Sequence, residues 1–600
     1  MDYKYSKETS NKRRPKKRKF GGNQFTSKKS TASTSASAKK LSKNSDFEVN
    51  VDQTLSYCIV NFGLFLVLQD ILICKMCKKD IKFSKRAEKG LGFSLSVQCK
   101  CDYEVSIPSS PKTNQAYEIN RRIVFSMRLL GVGLHGINTF LRFMDIGKRF
   151  TEGTYYYLVN HIHTAVKGVT QIVLSTAVKE EQDENEKAGN VKNHLAVSGD
   201  GSWAKRGFSS LIGIASLIGK YSKKIIDISV KSSICKACEK WCGKENTIEY
   251  STWYKDHKDN CNANHDGSAG AMEVESILEM FKRSKSLYNV WYEYYIGDGD
   301  TKTFKKLLDV SPYGDEVIVK KKECVLHVKK RMFKRAKDAK KELTQLKKLK
   351  STLEQSGKNT TKTKGTNKRA SAKTEKTAQL TNTVMQELST FYGLAVLRNA
   401  NSVDDMRTAI WATYYHKCST DANPQHTFCP EGTSSWCKYR KAEADNTLHQ
   451  FKHPPALHEE VQSVLKPIYD DLSSDDLLKR CVGANTQNSN ESYNGCVWHF
   501  APKHLFSGKK IVEIAAWCAA CKFNEGLKPF LKIMEVMGIT IGKQAAEFVQ
   551  RSDEARVELA NKRSSMTSKE NRTTLRNIRL QENDAYECAE GIIYGPGIAD

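Results

Sequence analysis

The chain has 600 residues, of which 39% are hydrophobic, so it is long enough to form several domains with buried cores. Its net charge of +29 comes mostly from two stretches: residues 1–44 hold 14 Lys and Arg against 2 acids, and residues 329–376 hold 18 against 4. The rest of the chain is close to neutral, and the two basic stretches suit a nucleic-acid partner.

A membrane-spanning segment is not expected. The longest apolar run, Ile59 to Cys74, is interrupted by polar residues and is shorter than the ~20 residues that cross a bilayer. No apolar segment precedes residue 55, so a signal peptide is not expected either. We therefore predict an intracellular protein whose 18 cysteines are mostly reduced, a setting in which Cys-x-x-Cys pairs near histidines favour zinc.

A dense basic cluster, Lys12-Arg13-Arg14-Pro15-Lys16-Lys17-Arg18-Lys19, lies near the N-terminus. The surrounding residues 1–45 are rich in Lys, Ser and Thr without hydrophobic periodicity, which predicts a disordered tail. The cluster is typical of a nuclear localisation signal or a nucleic-acid patch, and a simple solvated tail is the alternative. We expect a nuclear protein that binds the nuclear import machinery.

Two cysteine pairs flank a strand-like run from Gly92 to Val97 within residues 55–110. Four thiolates from two knuckles can hold zinc tetrahedrally, so a zinc-ribbon-like region is predicted, with unpaired buried cysteines as the alternative. The candidate ligands are Cys74, Cys77, Cys99 and Cys101.

Residues 111–190 have apolar residues three and four apart, which indicates helices. The predicted helices are 120–130, 136–144 and 153–174, and an acidic loop at 179–187 is expected to end the region. We assign this region to DNA binding or dimerisation.

Residues 191–330 change to a strand-like period. Three strands, a helix, a strand, a helix and a fifth strand are predicted, at 194–200, 209–217, 224–230, 272–284, 290–296, 301–308 and 316–321. This order is typical of an RNase H-like core, an α/β fold with a mixed sheet and helices on both faces.

A Cys/His-rich insertion at 235–271 interrupts that core. Its spacing is that of a four-ligand zinc knuckle, with Cys242 and His265 as spare candidates and free thiols as the alternative. The candidate ligands are Cys235, Cys238, His257 and Cys261.

Residues 331–480 are predicted to be a mainly helical insertion with a disordered Lys-rich loop at 351–377. A further zinc site is predicted there, and residues 481–600 are expected to supply helices that complete the core. The candidate ligands of this site are His416, His426, Cys429 and Cys437.

Three acidic segments stand where apolar elements meet turns or a helix start. Asp200 ends the first predicted strand, Asp298 and Asp300 follow the fourth, and Glu491 begins or lies in a later helix. Carboxylates from separate elements are what a pair of Mg²⁺ (or Mn²⁺) ions requires for phosphodiester chemistry. Asp200 would bridge both ions. Taken alone, each acid has a simpler explanation, namely an Asp-Gly turn or a Glu at the start of a helix.

Four motifs together resemble the Mutator-like D-D-E transposases, particularly the animal group with a long inserted region. The resemblance runs from about residue 55 to Ile598. The matching segments are Ser198–Trp203 with Lys205-Arg206-Gly207, Tyr295–Lys302, Glu323–Arg331 and Asn485–Asn494.

The resemblance implies an RNase H-like catalytic core, divalent metal, and cut-and-paste movement of DNA with terminal inverted repeats. Water would free a 3′-hydroxyl at the element end, and that hydroxyl would attack target DNA. Asp200 and Glu491 become the first and last catalytic acids. The second is Asp298 or Asp300, with Asp298 favoured because it follows the strand directly. Double-stranded DNA is the implied partner, and a homo-oligomer is expected because two ends must be paired.

Cys324 and His327 match the Cys-x-x-His signature that follows the second acid in this superfamily. The pair would either organise the region beside the active centre or contact DNA, and a packed Cys and His is the alternative. Basic residues near the motifs are expected to meet the phosphate backbone, which gives affinity without sequence specificity. These are Lys205, Arg206, Lys329, Lys330 and Arg331.

Two other functions share these features. A nuclease on the same core would use the same metal site and the same first step. A domesticated, non-catalytic nuclear DNA-binding protein would keep the basic segments, but it would have no reason to keep the four acids.

Overall fold

The computed structural model describes residues 35–41, 47–113, 116–204, 210–297, 301–356 and 379–564. The chain divides into two compact units, one drawn from 33–328 with 480–600 and the other including 329–479. Residues 1–34 and 42–45 of the predicted tail and 357–377 of the predicted Lys-rich loop lie outside the described residues. Within the same two segments, Ala36–Leu41 form a helix, and 351–356 are the end of another.

The N-terminal elements of the first unit are short, and their main feature is a small antiparallel sheet of order β2-β3-β4. The strand-like run predicted at 92–97 lies within β3. In chain order the elements are α1 (Ala36–Leu41), β1 (Val51–Asp52), α2 (Gly63–Gln69), β2 (Ile81–Lys89), β3 (Gly92–Cys99), β4 (Glu104–Pro108), β5 (Lys112–Thr113) and β6 (Ala116–Tyr117).

The three predicted helices of the next region are present as α3 (Glu118–Leu129), α4 (Leu134–Phe143) and α5 (Glu152–Lys187). The hydroxyl of Thr151 caps α5 by accepting the N–H of Thr154 at 3.2 Å. The predicted acidic loop at 179–187 is wrong, because these residues form the last turns of α5. The helix continues because the buried Glu181 accepts the backbone N–H groups of Tyr221 and Ser222.

Within the described ranges, no single helix has both the length and the apolarity needed to cross a bilayer. Helices α3 and α4 reach that threshold only as a pair, and the chain bends by 114° between them.

A five-stranded sheet forms the centre of the first unit, with strand order β11-β10-β7-β8-β9. Strands β7, β8 and β9 form an antiparallel meander, β10 pairs in parallel with β7, and β11 pairs in parallel with β10. Their bounds are β7 (His194–Trp203), β8 (Ile212–Gly219), β9 (Ile225–Ser232), β10 (Trp291–Gly297) and β11 (Lys320–Glu323).

Two strand predictions need correction. Strand β7 continues to Trp203, so Asp200 lies inside the strand and not at its end, and the fifth strand begins at Lys320 and not at residue 316. The inserted helices are α6 (Lys236–Glu239), α7 (Ile248–His257), α8 (Ala269–Tyr288) and α9 (Thr301–Val310).

Alternating side chains divide the hydrophobic core between the two faces of this sheet. On one face, Ile212, Ile214 and Ile218 of β8 pack in a cluster with residues of α5. On the other face, Leu217 packs with residues of α8 such as Phe281. Helices therefore cover both faces, as predicted.

Helices from the end of the chain complete the first unit, and β12 pairs in parallel with β1. Residues of α16 and α17 join the cluster on the α5 face. The bounds are α16 (Asn488–Phe500), α17 (Lys509–Glu525), α18 (Lys528–Val536), β12 (Ile541–Gly542) and α19 (Lys543–Ser564).

The described part of the second unit is helical. Tyr392 and Tyr469 are fully buried in it, and the Tyr392 hydroxyl donates to the carbonyl of Leu472 at 2.8 Å. The helices are α10 (Val325–Ser356), which begins in the first unit, α11 (Asn382–Arg398), α12 (Val403–Cys418), α13 (Lys438–Ala444), α14 (Glu459–Leu472) and α15 (Asp475–Cys481), which ends in the first unit.

A buried lysine joins three elements of the first unit. Lys224, in the turn between β8 and β9, is 1% exposed, and its ammonium donates to Glu180 of α5 at 2.9 Å and to Glu525 of α17 at 2.6 Å. Beside it, the amide of Asn524 pairs with both backbone groups of Ile225 at 2.8 Å. These contacts fix the β8–β9 turn against two helices.

We expect Lys224→Ala to lower the free energy of unfolding by ~3–5 kcal/mol, because it removes the buried ammonium that both carboxylates share. Urea unfolding followed by tryptophan fluorescence measures this loss. Lys192→Ala is the control, since Lys192 pairs with Glu186 at 3.0 Å at the surface and should change stability by no more than ~1 kcal/mol. Equal effects of the two substitutions would contradict the assigned role of Lys224.

Candidate active site and metal centres

Helix α16 lies along β7, and polar side chains join the two. Gln487, Asn490, Asn494 and Trp498 are spaced three and four residues apart, so they share one face of the helix. Facing them, Ser198, Asp200 and Ser202 alternate along one face of the strand. The spacing of the polar side chains on α16 therefore matches that of the polar side chains on β7.

Five hydrogen bonds connect these faces. The side-chain N–H groups of Gln487 and Asn490 donate to the carbonyls of Gly199 at 2.7 Å and Ser198 at 3.1 Å. The Ser198 hydroxyl donates to Asn490 Oδ1 at 2.9 Å, Asn494 Nδ2 donates to Asp200 Oδ2 at 2.8 Å, and Trp498 Nε1 donates to Ser202 Oγ at 2.8 Å. Because Ser198 and Asn490 are buried, leaving either group unpaired would be costly.

This arrangement brings Glu491 close to Asp200, although about 290 residues separate them in the sequence. Burial raises the pKa of Asp200 to about 6, and the negative charge of Glu491 adds to this rise. Three interactions oppose it: the hydrogen bond from the N–H of Gly201, the positive charge of His327 and the hydrogen bond from Asn494. Glu491 itself is exposed at the start of α16. Two carboxylates from separate elements thus share one partly buried site.

The second predicted acid, Asp298 or Asp300, lies outside the described residues, as do Lys205 and Arg206. Strand β10 ends at Gly297, and its Ile296 is paired with Ser198 of β7. The described part of β10 therefore ends beside the segment of β7 that carries Asp200.

The Cys-x-x-His motif lies next to the same site. Cys324 is buried between β11 and α10; burial raises the pKa of its thiol, but hydrogen bonds from His327 and the backbone N–H of Gln487 lower it overall. His327 is near enough to Asp200 to favour the ionised carboxylate. The predicted basic residues Lys329, Lys330 and Arg331 follow within α10, where Lys330 is exposed.

The structure brings together the first predicted zinc ligands, Cys74, Cys77, Cys99 and Cys101. Their sulfur atoms lie within 4.8 Å of one another, with Cys77 and Cys99 at 3.3 Å and Cys74 and Cys101 at 3.7 Å. Backbone N–H groups of Cys77 and Met76 lower the pKa of Cys74 to about 6. Such separations fit ligands ~2.3 Å from a tetrahedral zinc ion.

The second cluster is Cys235, Cys238, His257 and Cys261. His257 Nε2 lies 3.3 Å from the sulfurs of both Cys235 and Cys238, and the sulfurs of Cys238 and Cys261 are 3.6 Å apart. The spare candidate His265 instead contacts Glu275 and the carbonyl of Ser268.

The third cluster lies in the second unit and consists of His416, His426, Cys429 and Cys437. The Nδ1 atoms of the two histidines are 3.3 Å apart, and Cys437 Sγ lies 3.4 Å from His426 Nδ1. Hydrogen bonding with Cys429 lowers the pKa of Cys437 to about 3, and the reciprocal interaction raises the pKa of Cys429. The cluster is thus prepared to hold a cation.

A polar relay behind the third cluster was not predicted from the sequence. Asp421 Oδ1 accepts the Nδ1–H of His453 at 2.7 Å, which leaves His453 Nε2 as an acceptor. His426 Nε2 lies 3.0 Å from that atom and 2.9 Å from Ser419 Oγ, so a proton on His426 Nε2 has two acceptors. This leaves the lone pair of His426 Nδ1 directed at the cluster, a supporting arrangement common around metal ligands. Asp421 and His453 have no recognisable ligand spacing, so no sequence signal marks them.

The model of the family described as Mutator-like transposase matches residues 59–437, which is more than half of the chain. The chain belongs to the Mutator-like transposase family. Searches of curated proteins and of solved structures found no match.

The part of this Mutator-like transposase that matches the family model contains Asp200, both candidate second acids and the three Cys/His clusters. Glu491 lies beyond its end, so its assignment depends on its position on α16. The amides of Gln487, Asn490 and Asn494 also lie beyond it. Their regular helical spacing is the sequence signal that could have identified them.

We expect this Mutator-like transposase to bind three equivalents of zinc, one for each cluster. Cys429→Ser should remove one equivalent, because it deletes a ligand of the third cluster, and elemental analysis of the purified protein measures the content. Cys418→Ser is the matched control, since Cys418 is a buried neighbour that is not part of the cluster. A folded protein without zinc would disprove the assignment.

Proposed function

We propose that the protein is a DNA transposase that cuts DNA at the terminal inverted repeats of an element and joins the freed ends to target DNA. The observation that carries this proposal is the facing pair of Asp200 on β7 and Glu491 on α16, held in place by the Asn494–Asp200 hydrogen bond. Membership of the Mutator-like transposase family supports the same role.

We also propose that the first unit contains an RNase H-like catalytic core. The strand order β11-β10-β7-β8-β9 supports it, with three antiparallel strands followed by two parallel ones. In open sheets of this kind, acids near the carboxyl ends of adjacent parallel strands meet at one edge. Asp200 near the end of β7, and Asp298 directly after β10, have that relation in the sequence.

The donor set fits a divalent cation. Burial and the charge of Glu491 raise the pKa of Asp200, and a bound cation would offset both effects. Asp200, Glu491 and either Asp298 or Asp300 would hold Mg²⁺ or Mn²⁺. When bound, the metal would supply activation of the attacking oxygen and stabilisation of the leaving oxygen.

The protein's own residues orient this chemistry. Asn494 fixes one oxygen of Asp200, and the Ser198–Asn490 pair sets the position of α16. In that position Glu491 is close enough to Asp200 for its charge to act on the carboxyl. The positive charge of His327 favours the ionised form of Asp200. The Cys-x-x-His pair therefore acts as support for the acid site.

Water would first cleave the phosphodiester bond at the element end and leave a 3′-hydroxyl, which would then displace a phosphodiester bond in the target. Double-stranded DNA is thus both substrate and target. We propose a homo-oligomer, because two element ends must be held together. The basic stretches at 1–44 and 329–376 would add affinity for the DNA backbone.

We expect Asp200→Asn to reduce Mg²⁺-dependent cleavage of DNA containing the inverted repeats that flank the coding sequence by at least about a thousandfold. The metal site is worth several kcal/mol, and each ~1.36 kcal/mol is a factor of ten. Gel analysis of labelled DNA measures cleavage, and Glu491→Gln should behave similarly.

Glu293→Gln is the matched control, because Glu293 is a carboxylate of the same sheet that pairs with His194 and Lys320 away from the site. It should cleave at the wild-type rate. A wild-type protein that binds the DNA but does not cut it would support the domesticated alternative. Cleavage without joining to target DNA would support the nuclease.

We propose that the protein acts in the nucleus through the cluster Lys12–Lys19. A fusion of residues 1–44 to a fluorescent protein should accumulate in nuclei, because the cluster is compact and basic. Replacing the seven Lys and Arg residues of the cluster with Gln should abolish accumulation in fluorescence microscopy. Unchanged nuclear accumulation of that variant would reject the signal.

A further inference from the structure

A shallow surface indentation lies next to the acid site. The end of β8 and the end of β10 contribute apolar lining. The polar lining includes Ser198 of β7, Lys220 and Lys223 in the β8–β9 turn, and Thr486 and Ser489 at the start of α16. The proposed reaction assigns no role to the two lysines or to the hydroxyls of Thr486 and Ser489.

The pairing of the strands places the indentation one row from Asp200. Ser198 is opposite Ile218 on β8 and Ile296 on β10, and Ile296 is opposite Lys322 on β11. Asp200 is two residues further along β7 on the same face, about 6.6 Å at ~3.3 Å per residue. A ligand in the indentation is therefore next to whatever Asp200 contacts.

Lys220 and Lys223 line the indentation, and Lys322 of the nearby β11 is close enough for the charge of Lys220 to act on it. Burial and the charge of Lys220 both lower the pKa of Lys223, and Glu181 partly offsets the effect. Burial and the charge of Lys220 likewise lower the pKa of Lys322. A cluster of like charges that destabilises the protein is expected where an anion binds and neutralises it.

The start of α16 adds neutral donors to this basic site. Thr486 and Ser489 present hydroxyl groups, and the first turn of a helix presents N–H groups with a positive dipole. Lysines, hydroxyls and helix N–H groups are the groups that contact DNA phosphates without reading sequence.

We infer that this indentation binds a backbone phosphate of the substrate DNA next to the phosphate that is cut. The inference rests on the proposed transposase function and adds a substrate-positioning site to it. Lys220, Lys223 and Lys322 supply the charge. Thr486, Ser489 and the first turn of α16 supply the directional hydrogen bonds.

The test is the binding of labelled end DNA to the full-length protein without added Mg²⁺, measured by fluorescence anisotropy at several KCl concentrations. The triple variant Lys220→Gln, Lys223→Gln, Lys322→Gln should weaken binding at least about tenfold. It should also lower the slope of log affinity against log salt by about 0.9, because the indentation would hold one phosphate and each neutralised phosphate adds ~0.9 to that slope. The single variant Lys220→Gln should lower the slope by ~0.9 at most, and Lys220→Arg should restore it.

The matched control is Lys528→Gln, Lys543→Gln, Lys562→Gln, which removes three exposed charges from α18 and α19 of the same unit, outside the region assigned to DNA binding. Equal slopes for the two triple variants would overturn the inference and leave the proposed function intact, provided that the wild type still cuts DNA. A wild type that neither binds nor cuts DNA would reject the proposed function itself.

Calorimetric titration with inorganic pyrophosphate distinguishes a second source of phosphate. The triple lysine variant could lose pyrophosphate binding while its slope of log DNA affinity against log salt stays at the wild-type value. That result would assign the indentation to a small phosphate ligand and overturn the DNA assignment. Zinc content and the circular-dichroism melting curve verify that each variant is folded. If the triple variant does not fold, the two single variants at Lys220 decide the question.

Discussion

The contact between α16 and β7 is the constraint on which the site depends. Asp200 and Glu491 are far apart in the chain, so their meeting requires that one helix keep one position along one strand. Buried amides do this better than apolar side chains, because a shift of the helix would leave Asn490 and Ser198 with unmet hydrogen bonds. Tyr493 and Val497 supply the apolar burial on the same helix, and the amides determine where that burial occurs.

The charges around this contact have opposite signs in adjacent rows of the sheet. Asp200 and Glu491 concentrate negative charge in one row, and Lys220, Lys223 and Lys322 concentrate positive charge around the neighbouring one. Without a bound ligand, each of these two sets of like charges destabilises the folded protein, because the charges are brought together in partly buried surroundings. A metal ion and a phosphate would offset both at once. The folded protein thus carries unfavourable interactions that its proposed ligands would relieve.

Sequence patterns predicted the parts whose determinants are local. The apolar periods of α3, α4, β8 and β9 place these elements, and the spacing of each Cys/His set brings four ligands together. Sequence patterns failed where tertiary contacts determine the local structure. The acidic end of α5 remains helical because Glu181 accepts hydrogen bonds from the β8–β9 turn, and β7 continues past Asp200 because β8 pairs with it as far as Trp203. The relay from Asp421 to His426 depends on the folding of a loop, which the residue spacing does not reveal.

The long insertion between the second acid and Glu491 is compatible with this constraint because its two ends are joined inside the first unit. The N–H of Val325 donates to the carbonyl of Asn485 at 3.0 Å, and Arg480 pairs with Glu323 at 3.5 Å. The chain therefore leaves the core and returns to it at the same place. Closing a longer loop costs little additional entropy, about 0.6 kcal/mol for each doubling of its length. The helices of 329–479 can thus differ in length or content without moving Glu491 away from Asp200, since the start of α16 is fixed by contacts that lie entirely within the first unit.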